Sequence, residues 1–219
     1  MNRLKWRSIA RSAGTVAVLA GLLASLGCSK TVREGRASGY LVIDSVTATS
    51  GADPTVFTNY LQSDVVTLIK KKVNIDGVDV DVLVPTIFED PARVIIHLNS
   101  KDPSSPVSPT NSITINRYRV VFKRTDGRAT QGVDVPYAFE GAVTANIPED
   151  GSTVTFAFVL VRAVAKEEAP LKALAYAGGA LYISTLAEVT FYGRDQAGNE
   201  VTVTGTITVN FADWGDPES

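Results

Sequence analysis

One histidine, His97, and one cysteine, Cys28, limit the chemistry open to this 219-residue chain. A Ser–His–Asp site would need His97, which stands in the run RVIIHLN. There Val94, Ile96 and Leu98 share one face of a strand, and His97 takes the other with Arg93 and Asn99. No G-x-S-x-G elbow accompanies it, so His97 reads as a surface or inter-sheet residue. A single His and a single Cys also fall short of a His/Cys metal site. Carboxylates offer more: Asp76, Asp79 and Asp81 form a D-x-x-D-x-D string, and Glu89-Asp90 is a second pair. Such oxygens suit calcium, but their spacing matches no calcium loop, and surface ion pairing is the better reading. A glycosidase pair is defined by carboxylate separation, which a sequence does not give. The basic residues Arg117, Arg119, Lys123, Arg124 and Arg128 cluster in a mature chain that is acidic as a whole. They could meet an acidic partner or a lipid phosphate, or form a solvated strand face ending in the Asp126-Gly127 turn. Tyr176, Tyr182, Tyr192 and Trp214 could stack on a glycan, and of these only Trp214, in ADWGD, looks free of a strand. No catalytic residue, metal site or cofactor is assigned.

The elements that would carry these residues announce themselves by alternation. Val201, Val203, Gly205, Ile207, Val209 and Phe211 alternate with Thr202, Thr204, Thr206, Thr208 and Asn210, the pattern of a long half-buried strand. Leu181–Tyr192 repeats the phase through Leu181, Ile183, Ala187, Val189 and Phe191, and Asp195-Gln196-Ala197-Gly198-Asn199 turns one run into the other. A second hairpin folds about Asp76-Gly77, a type I′ signal, and sets Ile75 opposite Val78, Val73 opposite Val80 and Lys72 opposite Asp81. One of its faces carries Val73, Ile75, Val78, Val80, Val82 and Val84, and the other Lys70, Lys72, Asn74, Asp79 and Asp81. Lys71 intrudes on the apolar side, so that side is expected to be only partly covered there. Further strands are expected at Gly39–Ala48, Arg93–Asn99, Ile113–Arg124, Val133–Ala145 and Thr153–Val164. A bulge is expected between Ile115 and Tyr118, where the apolar phase shifts. Both faces of Thr153–Val164 are apolar, which suits a central strand. Pro170–Ala177 alone suggests a helix, of about two turns, stopped by Gly178-Gly179.

Residues 1–27 have another character. Arg3, Lys5, Arg7 and Arg11 precede an uncharged 15-residue run, Ser12 to Leu26. That is the order of a secretory signal, and the run falls short of the roughly 20 residues a membrane span needs. The segment LASLGC, ending at Cys28, resembles the lipobox of bacterial lipoproteins, with Ser25 where that family usually has Leu. The resemblance implies that the Cys28 thiol receives a diacylglyceryl group and that cleavage makes Cys28 the acylated N-terminus. Its partner is then the membrane. Ser29 follows the Cys where an Asp would retain an enterobacterial lipoprotein in the inner membrane, so the expected location is the outer one. The Asp-x-Ala-Gly-Asn hairpin resembles the last hairpin of bacterial immunoglobulin-like domains, a likeness of about 30 residues.

The expected organisation is a signal over 1–27, a lipidated Cys and polar tether over 28–38, one domain over 39–213 and a tail over 214–219. One domain is preferred to two split at the Pro-rich loop Lys101–Asn111, because residues 39–100 show too few strands to close a core. After cleavage 17 basic residues face 23 acidic ones, a net charge of −6 that argues against nucleic acid. The fold expected is an all-β, two-sheet antiparallel immunoglobulin-like sandwich of about nine strands, with at most one short helix. Its expected function is a non-enzymatic envelope module that contacts a protein or a cell-wall polymer. A calcium-dependent glycan binder or carboxylate-dependent hydrolase is the alternative.

Overall fold

The alternating runs form strands where the phase says they should. The computed structural model describes residues 35–102, 104 and 108–215. The expectations for Cys28, the signal, most of the tether and the end of the tail lie outside those residues. The strands are β1 (Gly39–Ala48), β2 (Tyr60–Asp64), β3 (Thr67–Ile75), β4 (Val78–Thr86), β5 (Asp90–Ser100), β6 (Ile113–Arg124), β7 (Phe139–Ile147), β8 (Val154–Val161), β9 (Tyr182–Asp195) and β10 (Glu200–Ala212). The described residues also include a single turn of α-helix, α1 (Ala163–Lys166), and 3-10 turns at Pro109–Asn111 and Leu171–Leu174. The described residues are mostly strand and all-β in class, as expected.

Three sheets result. One has the order β1-β5-β8, a second β2-β10-β9-β6-β7, and β3 pairs only with β4. The inner faces of the first two share one core, in which Val94, Ile96, Val120, Phe191 and Val209 are fully buried. Phe191 of β9 lies at its centre. Phe156 and Phe158 of β8 meet it edge-on at 5.4 and 5.3 Å between ring centroids, and Tyr118 of β6 packs alongside at 6.3 Å. On the same core, β1 crosses β10 at Gly205, where a Cβ would stand 2.9 Å from Ile43 Cδ1 and 3.0 Å from Val46 Cγ2. Glycine keeps the apolar phase of β10 there while letting β1 approach.

The β9–β10 hairpin closes as read: Asn199 N–H donates to Asp195 Oδ1 at 2.8 Å, and Gly198 takes φ +84°. The bulge in β6 falls between Ile115 and Arg117, against both neighbours.

Several expectations need correction. The sheets are not purely antiparallel, because β2, unread in the sequence, adds to β10 in parallel. The strand β8 is an edge strand, not a central one. Its Val159 N–H donates to the Tyr118 hydroxyl at 3.2 Å, so one backbone group of this strand is satisfied from the other sheet. The run Val133–Ala145 begins its strand only at Phe139, because residues 130–135 turn on themselves through Asp134 N–H to Thr130 O. The two-turn helix at Pro170–Ala177 is the one 3-10 turn at Leu171–Leu174, ended by positive φ at Tyr176, Gly178 and Gly179. Leu181 precedes β9 and is exposed, outside the apolar face assigned to it.

Replacing Phe191 by Ala removes the ring on which both sheets converge. We expect it to lower unfolding free energy by about 3–5 kcal/mol in urea denaturation. Leu181→Ala, at an exposed site, should stay within about 0.5 kcal/mol of the parent.

Candidate functional site

Hairpin β3–β4 is the feature that departs most from a closed globule. Its register is the one the Asp76-Gly77 turn imposes: Ile75 opposite Val78, Val73 opposite Val80, Lys72 opposite Asp81. Asp76 at φ +52° and Gly77 at φ +84° supply the two left-handed residues of a type I′ turn. The Asn74 side chain locks it, accepting from Gly77 N–H at 3.0 Å and donating to Asp79 Oδ1 at 2.8 Å. Neither strand joins another sheet, and the pair forms an arm.

The arm is amphipathic, and its apolar side is bare. Ile69, Val73, Ile75, Val78, Val80 and Val82 are 37–63% exposed. At such fractions the six side chains present on the order of 400 Å² of apolar surface, within the range at which patches on a monomer are often functional. Lys71, opposite Val82, stands in the middle of that side. The expectation of partial cover at Lys71 therefore understated the matter: the whole face from Ile69 outward is open.

Buried charge fixes the root of the arm. Asp90, at the start of β5, is fully buried and paired with Lys166 of α1 at 2.9 Å, with Lys166 itself 3% exposed. Ser63 Oγ donates to Asp90 Oδ2 at 2.6 Å, and Gly51 N–H to Oδ1 at 2.9 Å. One carboxylate thus gathers four segments, including those that lead into and out of the arm. Burial pushes the Asp90 carboxyl above its ordinary range, against the opposing pull of Lys166. Asp64, one residue after Ser63, accepts from Thr67 Oγ1 at 2.6 Å and from Trp214 N–H at 3.1 Å, and burial raises it as well. Beside this network lies a cavity of about 650 Å³, lined by Val65, Val66, Ile87, Lys166, Lys172 and Tyr176 among others. Sequence reasoning paired Glu89 with Asp90 and missed Lys166, which looks like a surface residue in AVAKEEAP. No local signal marks it as buried.

The residues singled out by type fall in separate places. Arg117, Arg119 and Lys123 lie on the outer face of the five-stranded sheet, but as matched charges. Arg117 pairs with Glu140 at 2.8 Å and stacks on Tyr192, and Lys123 pairs with Glu188 at 2.6 Å. Arg124 and Arg128 close on Asp126 at 3.2 and 2.8 Å, holding its carboxyl down at about 2. Arg119 alone has no ion-pair partner among the described residues, so the cluster offers little net field to an acidic partner. Trp214 is half-buried, its indole N–H donating to Asn210 O at 3.4 Å, far from a free stacking platform. Tyr176 and Tyr182 are exposed, but no ring contact joins them. His97 faces outward as read, with Nδ1 2.9 Å from Asp44 Oδ2, and no hydroxyl is hydrogen-bonded to it. Asp76, Asp79 and Asp81 are exposed along the arm, and no group of three or more His, Cys, Asp or Glu among the described residues is placed to hold a metal.

The raised pKa of Asp64 gives a signed expectation. A carboxyl whose folded pKa exceeds its unfolded one contributes most below the unfolded value of 3.8, and the contribution fades as pH rises through the folded pKa. Asp64→Asn should therefore compare best with the parent at pH 7 and lose ground as pH falls towards 4. Urea midpoints at the two pH values measure the difference, and a constant gap would refute the assignment.

No family model matches the chain, and no curated protein matches it. Among solved structures, the Northeast Structural Genomics Consortium target SoR45 is similar at 9% identity and a TM-score of 0.31, over 67% of this chain and 84% of that one. A likeness so slight carries no argument. Among the described residues no helix is long and apolar enough to cross a membrane.

Proposed function

We propose that the chain is a lipid-anchored module of the bacterial cell envelope that works by contact rather than catalysis, with the β3–β4 arm as its contact element. The single observation that carries this reading is the open apolar face of the arm, built on a root fixed by buried charge. A rigid root holds the face in one direction, which suits recognition. In this reading the body is an immunoglobulin-like sandwich that serves as a spacer. Support comes from two sheets sharing one core and from the Asp-x-Ala-Gly-Asn turn of the last hairpin. Cys28, in its lipobox-like setting, supplies the anchor, in the outer membrane by the residue that follows it. Two or more acyl chains hold a protein where one does not.

The topology gives this arrangement a direction. Gly39, where the chain enters the body, pairs with Ser100 at the far end of β5, whereas the arm is rooted beside Asp90 at its near end. Those ends are separated by the length of β5, about 30 Å at the usual rise per residue. The arm is thus rooted at the end of the body opposite to the one at which Gly39 enters it.

Cys28→Ser should move the protein from the membrane to the soluble fraction without altering its circular dichroism. Retention in the membrane fraction would remove the anchor from this proposal. A photo-crosslinking residue at Val80, on the apolar face, should give a discrete adduct in intact envelopes, while the same residue at Lys123 should give none. Equal yields at both sites, or none at Val80, would count against the arm as the contact element.

A further inference from the structure

We propose that the apolar face of the β3–β4 arm is covered by the same face of a second copy of this chain, the two arms packing face to face with their tips in opposite directions. The inference rests on the reading of the arm as the contact element and names its occupant.

Three observations select it. The edges of the arm are guarded: Lys70, Lys71 and Lys72 line β3, and Pro85, near the root of β4, has no N–H to offer. Such residues discourage edge-to-edge strand addition, which leaves the face as the surface to be covered. Charge then separates the occupants. Lys71 is the one charged residue within the apolar face, and Asp76 stands at the tip. In a two-fold packing centred on the Val73–Val80 row, β3 lies over β3 and β4 over β4. Each Lys71 then lies over the other arm's Ile75, beside its Asp76, and Val80 faces Val80. The face is complementary to itself in that register, as an isologous contact requires. A lipid surface fits less well, because it would meet the acidic tip with Asp79 and Asp81 close behind.

Area agrees. The paired patches, with the Lys71 stems and the strand margins, would bury about 1,000 Å² in total, the lower end for a specific interface. The association is accordingly weak in free solution and favoured when anchored copies are crowded together.

The test uses the full chain in its envelope. Val80→Cys places a thiol at the two-fold, and mild oxidation should give an adduct of twice the chain's mass, while Lys72→Cys on the polar face gives none. Lys71→Glu in the Val80→Cys background should lower the yield about tenfold, two symmetric ion pairs each near the upper end for exposed charges. Asp76→Asn keeps a residue that tolerates left-handed φ and should lower it in the same direction. Lys71→Glu combined with Asp76→Lys should restore it, with circular dichroism showing that each variant is folded. Indifference of the yield to both charge changes would overturn the proposal. An adduct with a different protein would also overturn it while leaving the arm as the contact element, and no adduct of any kind would remove both.

Discussion

The desolvated carboxylate of Asp90 is the point on which the arrangement of this molecule turns. It touches the loop after β1, the end of β2, its own strand and α1, and it does so from a fully buried site. A buried ion pair of this kind adds little net stability over an apolar substitute, because two charges must leave water to form it. What it supplies is discrimination. An apolar cluster at the arm's root would tolerate sliding, whereas a carboxylate that must accept from Ser63, Gly51 and Lys166 together admits one geometry. Asp64 repeats the device one residue along, tying Thr67 at the foot of β3 to the Trp214 backbone. The arm is thus held where a two-stranded hairpin by itself is only marginally ordered in water.

That constraint also explains how the two hairpins of the chain come to differ. Both β9–β10 and β3–β4 show period-two alternation about a glycine-containing turn, both pair as hairpins, and β3–β4 has the register read for it. The first buries its apolar side against β1 and β8, because its strands lie within a five-stranded sheet facing a second one. Among the described residues no second sheet faces the apolar side of the second. Alternation specifies that a face exists and which residues share it. It does not specify what covers the face, since the covering layer comes from elements distant in sequence. Lys71 was the one local hint, a charge on the wrong side of an otherwise consistent strand.

The same division runs through the rest of the molecule. The ends of β1 and β6 were legible because they coincide with breaks in a local pattern. The strand β2 was not, since YLQSD has five residues, two of them apolar-sided, and its place is fixed by parallel pairing with β10 almost 150 residues away. The edge position of β8 was misread for a related reason. Its second apolar face is only partly buried, from exposed Ala157 to buried Val161, and no strand pairs with its outer edge. Lys166 was invisible because a lysine among Lys166-Glu167-Glu168 has the composition of a solvated turn, and only the position of Asp90 draws its ammonium inward. Of the candidate site, the arm and its turn could be read from the sequence. Its root and its exposure could not.

Energetics make the open face hard to treat as incidental. Leaving on the order of 400 Å² of apolar surface in water forgoes roughly 10 kcal/mol at the usual area coefficient, comparable to the whole stability of a domain. Threonine in place of valine at Val73, Val80 and Val82 would keep the strand propensity and the register while removing part of that exposure. The outer faces of β9 and β10 do use threonine in this way, with Thr190 and Thr204 hydrogen-bonded across the pair at 2.9 Å. The chain therefore contains both solutions: a hydroxyl ladder where a sheet faces solvent, and a valine–isoleucine face on an arm whose two edges are blocked. A surface whose edges are closed and whose face is apolar has a physical reason to be covered from above.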